Sequence, residues 1–472
     1  MKMNLFSPGA PTASLSLGDL LASLSGALDI TAGQTPGHAV RTCVIGMRIA
    51  SNFCLPDEKM LQLYYSLLLK DSGASSSATR MFQLFNTNEV AAKRAYRLVD
   101  WTNPLEAGRF MAAYSRSDDN LINRAKRVIR TASNPSQLVA GISRDRAHGG
   151  EVAVRDLGFG DEVVEAVRGI DENFDGTGAP HGLCGTAIPL LSRIIAVAQT
   201  LDTFSTAMDV GSAYDVLTRQ CGSRYDPDIV ETALAFATDE RFWAYVKEKP
   251  RQLLRSYETA FVIGEASSAC IDAVCGAFGR IVDAKSPYTR AHSRRVSEYA
   301  VEIGRALDLG GDRIRVIRRA ALLHDIGKLA VPNSILEKPQ KLNDDEWARI
   351  KKYPWRTEQI LGPIRGFRRL AEVACAHNER IDGSGYHRGI KEDEIDLDMR
   401  IVAVADVYDA LTSDRPQRQA MPIDKVFRIL DEEGRRGLDP RCVTVLKQHY
   451  RGGAVGCAAR TPATHRPLLK AA

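Results

Sequence analysis

A chain of 472 residues, 44% hydrophobic and 26% charged, has room for two or three domains with cores of their own. Its net charge of +5 and pI near 8.6 are too mild to argue for nucleic acid or a membrane surface, though they would not repel an anionic phosphoester. Nine cysteines without a CxxC pair read as free thiols in a reducing compartment, and no run reaches the roughly 18 apolar residues of a membrane span, so the expected location is the cytoplasm.

The first thirty residues lack the basic start, apolar centre and small-residue cleavage site of a signal peptide. Residues 16–30 read as a helix, and apolar residues at i, i+3, i+4 spacing predict helices over 57–69, 163–170, 296–307, 313–323, 345–360 and 423–430. Met81 and Phe85 read as core or interdomain contacts, and the basic stretch 123–130 as a solvated helix face rather than a nucleic-acid contact. Residues 236–266, with Trp243 and Tyr257, read as a partly helical connector, placed more narrowly at 246–265. Cys270 and Cys275 read as packing residues, and Asp382, Gly383 and Gly385 punctuate the later helices. Residues 451–472, with four basic side chains and no acid, read as a disordered tail. Alternating β-branched runs are scarce, so the expected fold is all-α.

The chain also repeats itself. His38 stands 33 residues before Asp71, and His292 stands 33 before Asp325, an offset of 254 between the pairs. Further on, Asp171 to Gly178 matches Asn378 to Gly385, and Arg193 to Asp202 matches Arg400 to Asp409, both at an offset of 207. The first copy therefore carries about 47 extra residues between Gly73 and Arg146, read as inserted helices. The expected organisation is a degenerate copy over 1–245 with an insertion at about 74–145, the connector at 246–265, and a second copy over 266–450.

Chemistry concentrates in the second copy. His324 and Asp325 follow an apolar run and precede Gly327 and Lys328. With His292, His377 and Asp406 they offer imidazole nitrogens and carboxylates from separate helices, a set suited to manganese, iron, zinc or nickel rather than calcium. Asp406 sits within an apolar helix, where an unpaired carboxylate costs several kcal/mol, and a metal is the simplest partner. Lys328 lies one turn past His324, where its ammonium can meet a phosphate oxygen; the alternative is a solvated helix-end lysine. A divalent ion there would activate water and neutralise the transition state of phosphoester hydrolysis, with Asp325 and Lys328 as the catalytic pair.

On His292, His324, Asp325 and Asp406, on Ile326, Gly327 and Lys328, and on the blocks from His377 to Tyr386 and from Ala405 to Pro416, the chain resembles the HD-GYP family of the HD phosphohydrolase superfamily. The resemblance spans about 280–440 closely and 35–235 as a worn copy. It implies an all-helical domain that hydrolyses cyclic di-GMP with two or three iron or manganese ions. It also implies substrate-phosphate contacts from Arg415 and Arg418, for which the alternative is a pair of surface arginines. Tyr386 is a further candidate substrate contact, a homodimer is expected, and a protein without turnover would dock a diguanylate cyclase through the loop around Tyr386. Two departures bear on the metals: Tyr353 and Asn378 stand where the family has second-metal histidines, leaving Asp325 and His377 for a second ion. Tyr288 replaces the glutamate of three-metal members, and His387, which takes the place of the signature proline, reads as a solvated turn histidine. One or two ions are therefore expected.

In the first copy only His38 and Asp71 survive as ligands, and Lys70 and Arg146 are expected to neutralise Asp71 without a metal. Two other functions fit the same residues: a nucleotide-binding or scaffold protein without turnover, and a one-metal phosphohydrolase of other phosphoesters.

Overall fold

The computed structural model describes residues 15–85, 89–99, 104–114, 135–261, 265–434 and 436–452. Among them there are helices and isolated bridges but no strand, so the fold is all-α. No helix there is long and apolar enough to cross a membrane, and every cysteine described is a free thiol. The basic stretch 123–130 and the tail from 453 lie outside the described residues. The chain divides into two compact units: one ends at Ser267 and takes in Pro332–Ser334, and the other comprises Ser268–Val331 and the chain from Ile335.

The first unit opens with α1 (Leu17–Thr31), whose N-cap Ser16 accepts from the Asp19 amide at 2.9 Å. There follow α2 (His38–Ala50), α3 (Asp57–Leu69), α4 (Ala78–Phe85), α5 (Glu89–Tyr96), α6 (Pro104–Tyr114), α7 (Pro135–Asp156) and α8 (Asp161–Arg168). Then come α9 (Leu190–Ala207), α10 (Val210–Arg219), α11 (Pro227–Leu234), α12 (Glu240–Glu248) and α13 (Pro250–Ala260). Helix α9 buries Ile194, Ile195, Val197, Ala198 and Leu201 and runs against α2 through the core. Met81 joins Ala92, Phe110 and Ile142 in a small core of their own.

Residues 246–265 differ from expectation. Helices α12 and α13 pack on α2, burying Trp243, Leu253, Leu254 and Tyr257. Buried Glu258 accepts hydrogen bonds from Tyr64 and from Ser16, the latter at 3.1 Å. Apolar spacing of this strength requires a surface to cover, and the first unit provides it.

The second unit runs through α14 (Ser268–Asp283), α15 (His292–Ala306), α16 (Gly311–Leu323) and a 3₁₀ turn (Ile326–Ala330). It continues with α17 (Asp344–Ile350), α18 (Tyr353–Leu361), α19 (Arg368–Cys375), α20 (Leu397–Thr412), α21 (Ile423–Glu433) and α22 (Pro440–Gly452). The expected helix over 345–360 is two: Pro354 lacks an amide to continue α17 and instead sits in the first turn of α18. Asn343 and Glu346 form a reciprocal capping box at the start of α17. Helix α20 buries Ile401, Val402, Ala403, Val404 and Ala405, and so is the central helix that carries Asp406 into the unit.

The same contacts recur in both units at the offsets of the sequence repeat. Asp29 accepts from the amides of Gly37 and Ala39, and Asp283 from the amide of Ser293, so each anchors the start of the next histidine-bearing helix. The residue before that helix is left-handed in both, Gly37 at φ 83° and Ala291 at φ 57°. A Cβ on Gly73 would meet the Arg146 carbonyl at 1.9 Å, and one on Gly327 the Tyr353 carbonyl at 2.0 Å. Both glycines are required where the turn bearing Asp71 or Asp325 touches a packed helix, α7 in the first unit and α18 in the second.

Candidate metal centre

The second unit brings five expected residues together. His292 begins α15, His324 and Asp325 follow α16, His377 follows α19, and Asp406 projects from α20. His324 donates its Nδ1–H to the Ala321 carbonyl at 2.7 Å, and His377 donates its own to Ala374 at 2.7 Å. His292 donates Nδ1–H to Asp409 at 2.7 Å, and Asp409 is gripped by Arg295 at 2.5 and 2.9 Å. With Nδ1 committed in each ring, Nε2 is left as the free lone pair.

Those lone pairs converge. His292 Nε2 lies 3.3 Å from His324 Nε2, 3.4 Å from Asp325 Oδ2 and 3.3 Å from Asp406 Oδ1. His324 Nε2 lies 3.4 Å from Asp325 Oδ1 and 3.7 Å from Asp406 Oδ1. Asp325 Oδ1 is buried without a hydrogen-bond partner. Two facing imidazole lone pairs and an orphaned carboxylate oxygen are mutually repulsive unless a cation lies between them, and two nitrogens with two carboxylates match a first-row divalent ion. The donor set therefore fits the metal.

Electrostatics agree. Burial alone would lower His292, yet Asp325, Asp406 and Asp409 hold it well above its ordinary value. Burial opposes the shift in His324 too, but Asp325 and Asp406 push it up to about 9. Burial would raise both aspartates; His324, with Lys328 on Asp325 and His292 on both, holds them well below the usual carboxylate range. The negative potential that charges these imidazoles is the potential that concentrates a divalent cation.

His377 is placed differently. Its Nε2 is 3.7 Å from Asp325 Oδ1, but it also accepts from the Tyr353 hydroxyl at 2.6 Å and the Asn378 amide at 2.7 Å. Burial, then His324, lowers it to about 3, so it stays neutral. Burial and Asp325 push the Tyr353 phenol well above its ordinary value, leaving it a donor rather than a phenolate ligand. His324, Asp325 and His377 lie close enough together to hold an ion, and Tyr353 and Asn378 hydrogen-bond the His377 Nε2 that would face it.

Of the expected substrate residues, Lys328 pairs with Asp325 at 2.6 Å and lies 4.8 Å over the Tyr353 ring. Tyr386 is half-buried beside Trp347, with Lys351 near its ring. Arg415 is also half-buried. Arg418 differs from expectation: its guanidinium donates to the carbonyls of Ala410, Leu411 (3.3 Å) and Gln419 (3.1 Å), closing the end of α20 rather than facing a ligand. His387 is not solvated either; its Nε2 sits 2.9 Å from Glu358, and its φ of 103° is strained. Tyr288 is exposed on a 3₁₀ turn. Sequence reasoning overlooked Asp409 and Arg295, although the retention of both in the first copy, as Asp202 and Arg41, was a visible signal.

In the first unit Asp71 is buried and bonded by Lys70, by Arg146 at 3.0 Å and by Arg97 at 2.8 Å. Arg146 also bonds Asp171 at 2.7 Å. Lys70 and Arg146 thus both reach Asp71, and Arg97 joins them from the insertion, which has no counterpart to compare.

A model of the HD domain family matches residues 142–229 and 277–442. The chain is 38% identical over 434 residues to a 3′3′-cGAMP-specific phosphodiesterase 3 of Vibrio cholerae, covering 92% of this chain and 94% of that one. It is 38% identical over 190 residues to a cyclic di-GMP phosphodiesterase response regulator of Xanthomonas campestris, 40% of this chain and 50% of that one. The crystal structure of a cyclic GMP-AMP-specific phosphodiesterase of V. cholerae superposes with a TM-score of 0.62 at 34% identity, covering 93% of this chain and 98% of that one. With the HD-GYP resemblance and the ligand geometry beside these likenesses, the chain belongs to the HD domain family as a metal-dependent phosphodiesterase.

Proposed function

We propose that the second unit hydrolyses 3′3′-cyclic GMP-AMP in preference to cyclic di-GMP, and that the first unit is a non-catalytic copy. Cyclic dinucleotide hydrolysis follows from the family; the choice of substrate rests on one observation. The relative named for cyclic GMP-AMP is similar along 92% of this chain, through both units, whereas the cyclic di-GMP relative is similar along 40%.

His292, His324, Asp325 and Asp406 would hold one iron or manganese ion, which when bound supplies Lewis-acid charge and eases the ionisation of water. Asp409, steadied by Arg295, fixes the His292 tautomer so that Nε2 faces the centre. Lys328 sits at the rim, 18% exposed, where its ammonium can leave Asp325 to meet a phosphate oxygen. Tyr386 and Trp347 offer ring faces to a base, and Arg415 a guanidinium to the second phosphate. A diguanylate cyclase partner belongs with the reading without turnover, and a homodimer is proposed beside it.

The test is turnover of each cyclic dinucleotide by protein purified without chelator under low oxygen. We expect kcat/KM for cyclic GMP-AMP to exceed that for cyclic di-GMP by about tenfold or more, one ion per chain, and loss of ion and activity in Asp325→Ala. Equal or reversed preference would sink the substrate assignment, and full activity in Asp325→Ala the metal assignment. A second reading, binding without turnover, is favoured by the hydrogen bonds that occupy His377 Nε2. It wins if no substrate is cleaved until Tyr353→His and Asn378→His together raise the metal content to two.

A further inference from the structure

A cavity of about 430 Å³ in the first unit is lined by Ile170, Asp171, Gly178 and Gln199. These stand 207 positions before His377, Asn378, Gly385 and Asp406, so the cavity occupies the place that the metal centre takes in the second unit. Its volume is that of a small-molecule pocket, about 300–1,000 Å³.

Its chemistry is cationic. Arg97, Arg146, Arg219 and Arg224 line it. Arg97 and Arg146 both bond Asp71 Oδ1, a carboxylate that Lys70 already engages. The same Arg146 guanidinium also bonds Asp171, and the other lining carboxylate, Asp175, is satisfied within its own turn by Thr177. Burial and the adjacent Arg146 lower Arg97 from its ordinary value, while Asp171 and Asp71 outweigh burial and raise Arg146. The Nε of Arg146 is buried without a hydrogen-bond partner. Arg224 lies 5.3 Å over the Tyr225 ring, and among the described residues neither it nor Arg219 is paired with a carboxylate. Tyr96 and Phe204 add aromatic surface to the lining.

Fixed guanidinium groups placed where a divalent ion would sit keep the attraction for a phosphate and lose the means to activate water. We infer that the first unit binds a nucleoside phosphate in this cavity without hydrolysing it, as a nucleotide-sensing site. Guanidinium forks take the phosphate and the aromatic faces take the base. The inference does not depend on which cyclic dinucleotide the second unit cleaves.

The full chain, stripped of divalent ions by chelator so that turnover is nil, is titrated by calorimetry with 5′-GMP, 5′-AMP and inorganic phosphate. We expect one site per chain for at least one nucleotide, about tenfold or more tighter than for phosphate. That affinity falls about tenfold or more in Arg219→Glu/Arg224→Glu and is unchanged in Asp325→Ala. The inference is overturned by no binding, by equal affinity for phosphate and nucleotide, or by binding that Asp325→Ala removes and the arginine variant keeps. Circular dichroism checks the double variant, and Arg224→Gln provides the same comparison if it does not fold.

Discussion

His38 and His292 each donate Nδ1–H to an aspartate, at 2.6 and 2.7 Å, yet their charges differ. Burial and then Lys70 lower His38 to about 4, whereas three carboxylates outweigh burial and raise His292. The neighbour decides: an ammonium stands beside one ring and a ligand set beside the other. A histidine whose folded pKa is depressed contributes stability above its unfolded value, near 6.5, that is lost as pH falls through its folded value, near 4. The first unit should therefore lose up to about 3 kcal/mol between those pH values, and urea unfolding at stepped pH would show it; a flat profile would contradict a neutral buried His38. Asp409→Asn makes the complementary test in the second unit. It keeps the volume but weakens the grip on the His292 tautomer, and should reduce metal affinity or kcat by about 10–100-fold with the fold intact.

At the scale of elements, apolar spacing located helices such as Asp57–Leu69 because one face must be covered, and the all-helical pattern was legible on those grounds. It was blind to what covers that face, which is why α12 and α13 read as a connector. Gly327 shows a contact that spacing cannot reveal, since the constraint comes from the Tyr353 carbonyl on α18. Gly327→Ala should cost about 1–3 kcal/mol and displace the adjacent His324 and Asp325. A lowered Tm together with a lower metal content would confirm it; a lowered Tm with full metal content would show that the turn yields without moving the ligands.

The whole molecule carries two units with the same internal contacts and different means of neutralising a buried aspartate. Asp71 is satisfied by Lys70, Arg97 and Arg146, and Asp325 keeps an oxygen with no hydrogen-bond partner. Chelation should accordingly lower the unfolding temperature of the second unit and leave that of the first in place, because only the second gains binding free energy from the ion. Scanning calorimetry with and without chelator reads both; a matched loss in the two units would contradict metal-independent neutralisation of Asp71.

By itself the sequence determined the helical class and displayed the internal repeat, and it offered His292, His324, Asp325 and Asp406 as candidate ligands, since periodicity, offsets and donor chemistry are local properties of a string. Only the tertiary structure decided that Tyr353 and Asn378 take the lone pair of His377, that Arg418 closes a helix end, and that Arg97 reaches Asp71. Each of these depends on where a side chain's polar atoms find partners from distant segments, and that is settled by packing rather than by spacing.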